Sequence, residues 1–194
     1  MQKISRADLI SLENYAEQRA QFRATLMAHK KNRIVRVGAN ASVHFEDRLT
    51  MQYQIQEMLR AEKIFEAGGI QEELDAYNPL VPDGSNLKAT FMLEYEDPNE
   101  RKLALERLQG IEDRIWVKIA GFDHVWAIAD EDLDRSNQEK TSSVHFLRFE
   151  FTPEMIAAAK SGAAIGVGIE HEAYCEQLDP VPENVRASLA ADFD

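Results

Sequence analysis

Leu87-Lys-Ala-Thr-Phe-Met-Leu-Glu-Tyr95 is the stretch on which the fold turns. Leu87, Ala89, Phe91, Leu93 and Tyr95 fall on one side, and Lys88, Thr90, Met92 and Glu94 on the other. Side chains alternate across a strand, so this is a β-strand with one buried face. Both of its ends are punctuated. Asn78-Pro-Leu-Val-Pro-Asp-Gly84 carries two prolines and a glycine, which forbid regular structure, and Asp97-Pro98 closes the other side. A strand buried on one face needs sister strands and a covering layer.

The flanking sequence supplies both. Downstream, residues 99–108 read as a helix closed by Gly110, and 114–120 and 124–129 as strands around Gly121-Phe-Asp123. Residues 130–141 are acidic and polar, an exposed loop. A strand over 143–151, a helix over 153–160 opened by Pro153, a last strand over 163–171 and a short helix within 181–193 follow. Upstream, 33–37 and 41–46 form a hairpin around Gly38-Ala-Asn40, and 6–31 reads as one long helix. A short helix over 70–77 follows Gly68-Gly69.

The segment from Arg48 to Phe65 reads two ways. Met51, Tyr53 and Ile55 alternate with polar neighbours as in a strand, yet Met51, Ile55, Met58, Leu59 and Phe65 also form a helical stripe. Strong helix formers over 57–67 and Asp47 as N-cap favour the helix. The whole is α+β: a single domain over 1–194, with packed helices on a mixed or mostly antiparallel sheet.

Composition narrows the function. A formal charge of −12 argues against general affinity for nucleic acid or an anionic membrane, since both reward a basic face. One cysteine, Cys175, excludes an internal disulfide and a Cys-only metal cluster within one chain. No run approaches the roughly 20 apolar residues of a membrane span, and the first residues lack a signal-type apolar core, so a cytoplasmic setting is expected.

The candidate chemistry centres on the Gln/Glu helix. Glu62 falls inside its apolar stripe, where a carboxylate is costly unless paired, metal-bound or protonated, and Glu66 lies one turn away. Glu57 sits to one side of the stripe. Gln56 and Arg60 share the polar face, where Arg60 has the fork to clamp a carboxylate or phosphate. Of the histidines, His44 and His124 are expected toward solvent, while His145 and His171 continue buried strand faces. No His-x-x-x-His, Glu-x-x-His or Cys-x-x-Cys spacing occurs, so any divalent metal must draw ligands from distant segments. The run His29-Lys-Lys-Asn-Arg-Ile-Val-Arg36 is basic and complements a helix C-terminus, and the glycines of 162–168 lie at a strand rather than in a phosphate loop.

Six blocks carry a family resemblance: Phe45-Glu-Asp-Arg48, Gln54-Ile-Gln-Glu-Met-Leu-Arg-Ala-Glu62, Glu73-Leu-Asp-Ala-Tyr-Asn-Pro-Leu-Val-Pro82, Leu87-Lys-Ala-Thr90, Phe146-Leu-Arg-Phe149, and Glu170-His171 with Tyr174. The chain resembles the bacterial domain-of-unknown-function family three-five-zero-one. It departs at His145, where that family usually has glutamine. The family carries no assigned activity. Its genes often stand beside those of a rubrerythrin-like protein and an iron–sulfur oxidoreductase, which implies such proteins as partners. The chain lacks the Glu-x-x-His pairs and cysteines of either, so it is neither.

Two functions are therefore expected. The first is an accessory or binding protein of a redox or oxidative-stress system, with its site where the Gln/Glu helix meets the strand of His171. The second is an enzyme of unassigned reaction using Glu57, Glu62 and His171, with a divalent metal as its one candidate cofactor. Arg60, Gln56 and Tyr174 are the expected ligand contacts, and a homo-oligomer is compatible with either reading.

Overall fold

The computed structural model describes residues 2–131 and 140–194. Its elements run α1 (Leu12–Lys30), β1 (Ile34–Val37), β2 (Ala41–Glu46), α2 (Arg48–Ala61), α3 (Ala67–Tyr77), β3 (Asn86–Leu93), α4 (Pro98–Arg107) and β4 (Ile115–Ile119). Then follow β5 (Val125–Trp126), β6 (Ile128–Ala129), β7 (Val144–Glu150), α5 (Pro153–Lys160), β8 (Ile165–His171), β9 (Tyr174–Leu178) and α6 (Glu183–Ala190). The fold is α+β. Most of the acidic stretch, residues 132–139, lies outside the described residues.

The strands form two antiparallel sheets, β1-β2-β3-β7-β6 and β5-β4-β8-β9. The alternation of β3 does what period two requires: Leu87, Ala89, Phe91 and Leu93 are buried. They join Val43 and Phe45 of β2, Phe149 of β7, and Val117 and Val167 of the second sheet in one apolar cluster. Leu105 of α4, Ala159 of α5 and Leu189 of α6 complete it. A smaller cluster joins Met51, Ile55 and Leu59 of α2 to Leu74 of α3 and to Ile4. No helix among the described residues is long and apolar enough to cross a membrane.

Several expectations need correction. The first helix begins at Leu12 rather than residue 6, because Ser11 caps it and accepts the Asn14 N–H. Residues 6–8 form a separate helical turn. The stretch 124–129 splits into two dipeptide strands, and β5 and β6 belong to different sheets. β9 went unforeseen: its middle, Cys175-Glu-Gln177, is polar and exposed, without a buried face to betray it.

The Gln/Glu segment is a helix, capped as expected. Asp47 accepts the Thr50 N–H at 2.9 Å while Thr50 Oγ1 accepts the Asp47 N–H at 2.9 Å, a reciprocal cap that contributes about 1 kcal/mol. The helix stops at Ala61, however. Lys63 takes the left-handed conformation (φ 57°), and the Ile64 N–H closes back on Leu59 O at 2.9 Å. The helical period therefore does not extend to Glu62 and Phe65. Both are exposed, and Glu62 is no buried carboxylate.

Candidate functional site

The polar face of α2 is a brace. Glu57 receives Arg19 through both Nε and Nη2, each at 2.7 Å, and the Tyr15 hydroxyl at 2.6 Å. The Arg19 hydrogen bond, working against burial, holds the Glu57 carboxyl down at about 2, and burial with the neighbouring Glu57 pushes the Tyr15 phenol up. Gln56, fully buried, accepts the Ile10 N–H at 2.6 Å and donates to Ile10 O at 3.1 Å. Gln52 donates to Asp8 O at 2.7 Å. Amide side chains in an apolar interface thus satisfy the irregular backbone of residues 8–10. Arg60 is exposed.

His171 and Tyr174 act at another place. His171 lies opposite Tyr174 in the β8–β9 ladder. Its Nδ1 accepts the Ala173 N–H at 3.1 Å, which leaves Nε2 as the donor to Gln109 O, also at 3.1 Å. Tyr174 donates to Val37 O at 2.7 Å and accepts the Asn40 N–H at 3.1 Å. Burial raises its phenol. The turn it pins needs Gly38: the backbone there has φ 73°, and a Cβ would stand 2.6 Å from the Tyr174 hydroxyl. Among the described residues no hydrogen bond or ion pair links Gln56, Glu57, Arg60 or Glu62 to His171 or Tyr174. The six expected site residues thus fall into two separately bonded groups.

Within the basic run, Arg33 turns inward while Lys31 and Arg36 stay exposed. Arg33, 2% exposed, donates to Phe45 O, Glu46 O and Ser188 O and pairs with the Asp192 carboxylate. Burial lifts Asp192 to about 6 despite that guanidinium. His29 holds Asp47 at 2.5 Å.

Two constellations fell outside sequence reasoning. The first surrounds His145, fully buried on the inner face of β7. Its Nδ1 meets Asp130 Oδ2 at 2.6 Å, and its Nε2 meets Thr141 Oγ1 at 2.9 Å, Ser142 O at 3.1 Å and Glu112 Oε2 at 3.8 Å. Thr141 Oγ1 in turn donates to Glu112 at 3.0 Å. Ser142 O only accepts, so Nε2 is the donor in that contact. Glu112, Asp130 and His145 each offer a ligand atom within 4.8 Å of the others. The burial of His145 was legible from strand alternation. Glu112, in a turn after α4, and Asp130, at the mouth of the acidic stretch, carried no local signal.

The second lies on the outer face of β5-β4-β8-β9. Trp116 is only 1% exposed there because the His124 ring stacks on it, with centroids 3.9 Å apart and planes 5° from parallel. The indole lies across Gly168, whose Cβ would stand 2.2 Å from its Cζ2. Trp126 meets His124 edge-on at 5.8 Å and stays 41% exposed. Glu170 holds His124 Nδ1 at 3.4 Å, and its ladder partner Cys175 is exposed. Trp116 Nε1 is the one buried side-chain polar atom among the described residues with no hydrogen-bond partner. His124 is therefore a stacking residue rather than a free surface one. His44, also expected in solvent, is half-buried against Ser42 at 2.9 Å, and burial lowers its imidazole.

A crystal structure of a novel protein of unknown function from Burkholderia pseudomallei, at 1.90 Å resolution, is 51% identical to this chain over 100% of both, with a TM-score of 0.94. No curated protein matches. The family described as "Protein of unknown function (DUF3501)" matches residues 3–193, and the chain belongs to that family.

Proposed function

We propose that this chain is a cytoplasmic binding protein of a redox or oxidative-stress system, docking a partner protein on the outer face of β5-β4-β8-β9. The observation that carries the reading is the aromatic stack of Trp116, His124 and Trp126, with Trp126 41% exposed. Exposed aromatics on a rigid sheet supply binding area at low entropic cost. Exposed Glu170 and Glu172 beside them, on a chain of charge −12, steer a partner with a basic face. The neighbouring genes of the family make an iron–sulfur or rubrerythrin-like protein the first partner to test. In a pull-down with both proteins folded at micromolar concentration, the complex should form and weaken about tenfold with Trp126→Ser. Absence of association overturns the reading.

The cluster of Glu112, Asp130 and His145 favours a second reading, an enzyme built on a carboxylate/histidine site with a divalent metal. One imidazole and two carboxylates suit zinc, iron or manganese. Metal analysis of protein purified without added metal decides it. A stoichiometric metal lost with His145→Ala supports this enzyme, whereas folded, metal-free protein rules the metal out.

A further inference from the structure

We propose that Lys88 is a covalent binding group, forming a reversible imine with an uncharged aldehyde that carries a short apolar tail. Lys88 lies on the outer face of β3, at the floor of a cavity of about 240 Å³. One wall is the outer face of β6 and β7, with Ile128 and Phe146. The other is Tyr77, Pro79 and Leu80, from the end of α3 and the helical turn after it. That second wall is fixed in place. The Asn78 side chain accepts the Ile4 N–H at 2.8 Å and donates to Ile4 O at 2.9 Å, and Pro79 stiffens the turn. A cavity of about 150 Å³ already admits benzene, so this one has room for a ring.

The charged groups around the cavity are engaged with one another and leave Lys88 uncommitted. Arg148, opposite it on β7, gives Nε and Nη2 to Glu131 at 2.7 Å each and Nη1 to Glu150. Glu46, opposite it on β2, accepts the Thr90 hydroxyl at 2.8 Å. Asp83 accepts the Ser85 N–H at 2.9 Å and its hydroxyl at 2.8 Å. The half-buried Lys88 ammonium makes no hydrogen bond or ion pair among the described residues. Apolar surroundings and an adjacent cation both favour the neutral amine, which is the nucleophile. Burial first, and the Arg148 guanidinium second, hold Lys88 below the usual lysine range against the pull of Glu131, Glu150 and Asp83. Those carboxylates repel an anionic ligand, while Ile128, Phe146 and Leu80 suit a hydrocarbon tail. In the step itself the amine lone pair adds to the carbonyl carbon. The carbonyl oxygen takes the two amine protons and leaves as water, and a C=N bond replaces C=O. No oxidant or reductant is consumed, and water reverses the reaction. The cavity stands apart from the outer face of β5-β4-β8-β9, so neither proposal depends on the other.

Benzaldehyde with sodium cyanoborohydride, added to the full chain, tests this. The reductant traps the imine as a secondary amine, and peptide mass spectrometry locates it. At about pH 7 Lys88 should be labelled at least about tenfold faster than any other lysine, with a rate that saturates as benzaldehyde rises. Near pH 10, roughly where exposed lysines also lose their protons, that preference should shrink. Lys88→Arg keeps the positive charge, and circular dichroism checks its fold. It should lose the preferred label while the exposed lysines react as before. Labelling spread evenly over exposed lysines, or a Lys88 rate that stays linear in benzaldehyde, overturns the proposal. So does an undiminished preference near pH 10, or a folded chain whose Lys88 never reacts.

Discussion

Replacing Glu57 by glutamine tests whether the α1–α2 brace is structural. Arg19 and Tyr15 hold the Glu57 carboxyl down from 4.5 to about 2. At about 1.4 kcal/mol per unit, that depression is worth about 3 kcal/mol of folding free energy. The Glu57 side chain is 23% exposed and Arg19 35%, so solvent screening trims this to about 2 kcal/mol. A lowered carboxyl stabilises the fold above its unfolded value of 4.5, and the contribution fades as pH falls toward 2. Urea unfolding followed by circular dichroism should show Glu57→Gln about 2 kcal/mol less stable near neutral pH, with unchanged m. The gap should shrink by about half near pH 3. A gap as large in acid as at neutrality would refute the charge argument. Full stability with loss of partner or ligand binding would return Glu57 to the functional list.

Gly168→Ala should cost about 2 kcal/mol and shift tryptophan fluorescence, because its Cβ would stand 2.2 Å from the Trp116 ring. An unchanged spectrum would mean the indole lies elsewhere. Arg33→Met strands the buried Asp192 and should cost about 3–5 kcal/mol by denaturant melts at neutral pH. Asp192 already sits at about 6 in the folded chain against 3.8 unfolded, so protonation favours the folded state. The variant's deficit should therefore be largest above about pH 6 and shrink as pH falls; growth in acid would contradict the pairing.

The sequence was readable where one face of an element is buried and its period repeats. β3 and α2 are such elements, and Asp47 capped where a short polar residue before a helix should. Reading failed where periodicity was extended past its element. Glu62 belonged to the stripe only while the helix was imagined to reach it, and a left-handed lysine cannot be anticipated from residues that all favour helix. The polar edge strand β9 offered no alternation to detect. At the candidate sites, chemistry was harder still. Glu112 and His145 meet across 33 positions of chain, as do Trp116 and Gly168 across 52, and such encounters exist only once the sheets have paired. Gln56 and Glu57, expected as a ligand contact and a catalytic group, serve in the structure as internal ties.

The passage between β5 and β6 carries a further consequence. The Ala127 N–H bonds Ile115 O in one sheet, and the Asp130 N–H bonds Phe146 O in the other. Three residues therefore separate Trp126 on the surface from Asp130 beside the buried His145. The segment is a short bridge anchored in both sheets, so a load on the indole has little chain to cross before it meets the carboxylate. Amide exchange at Ala127 and Asp130 thus gives two adjacent gauges, one for each sheet, of whether load on the outer face reaches the interior.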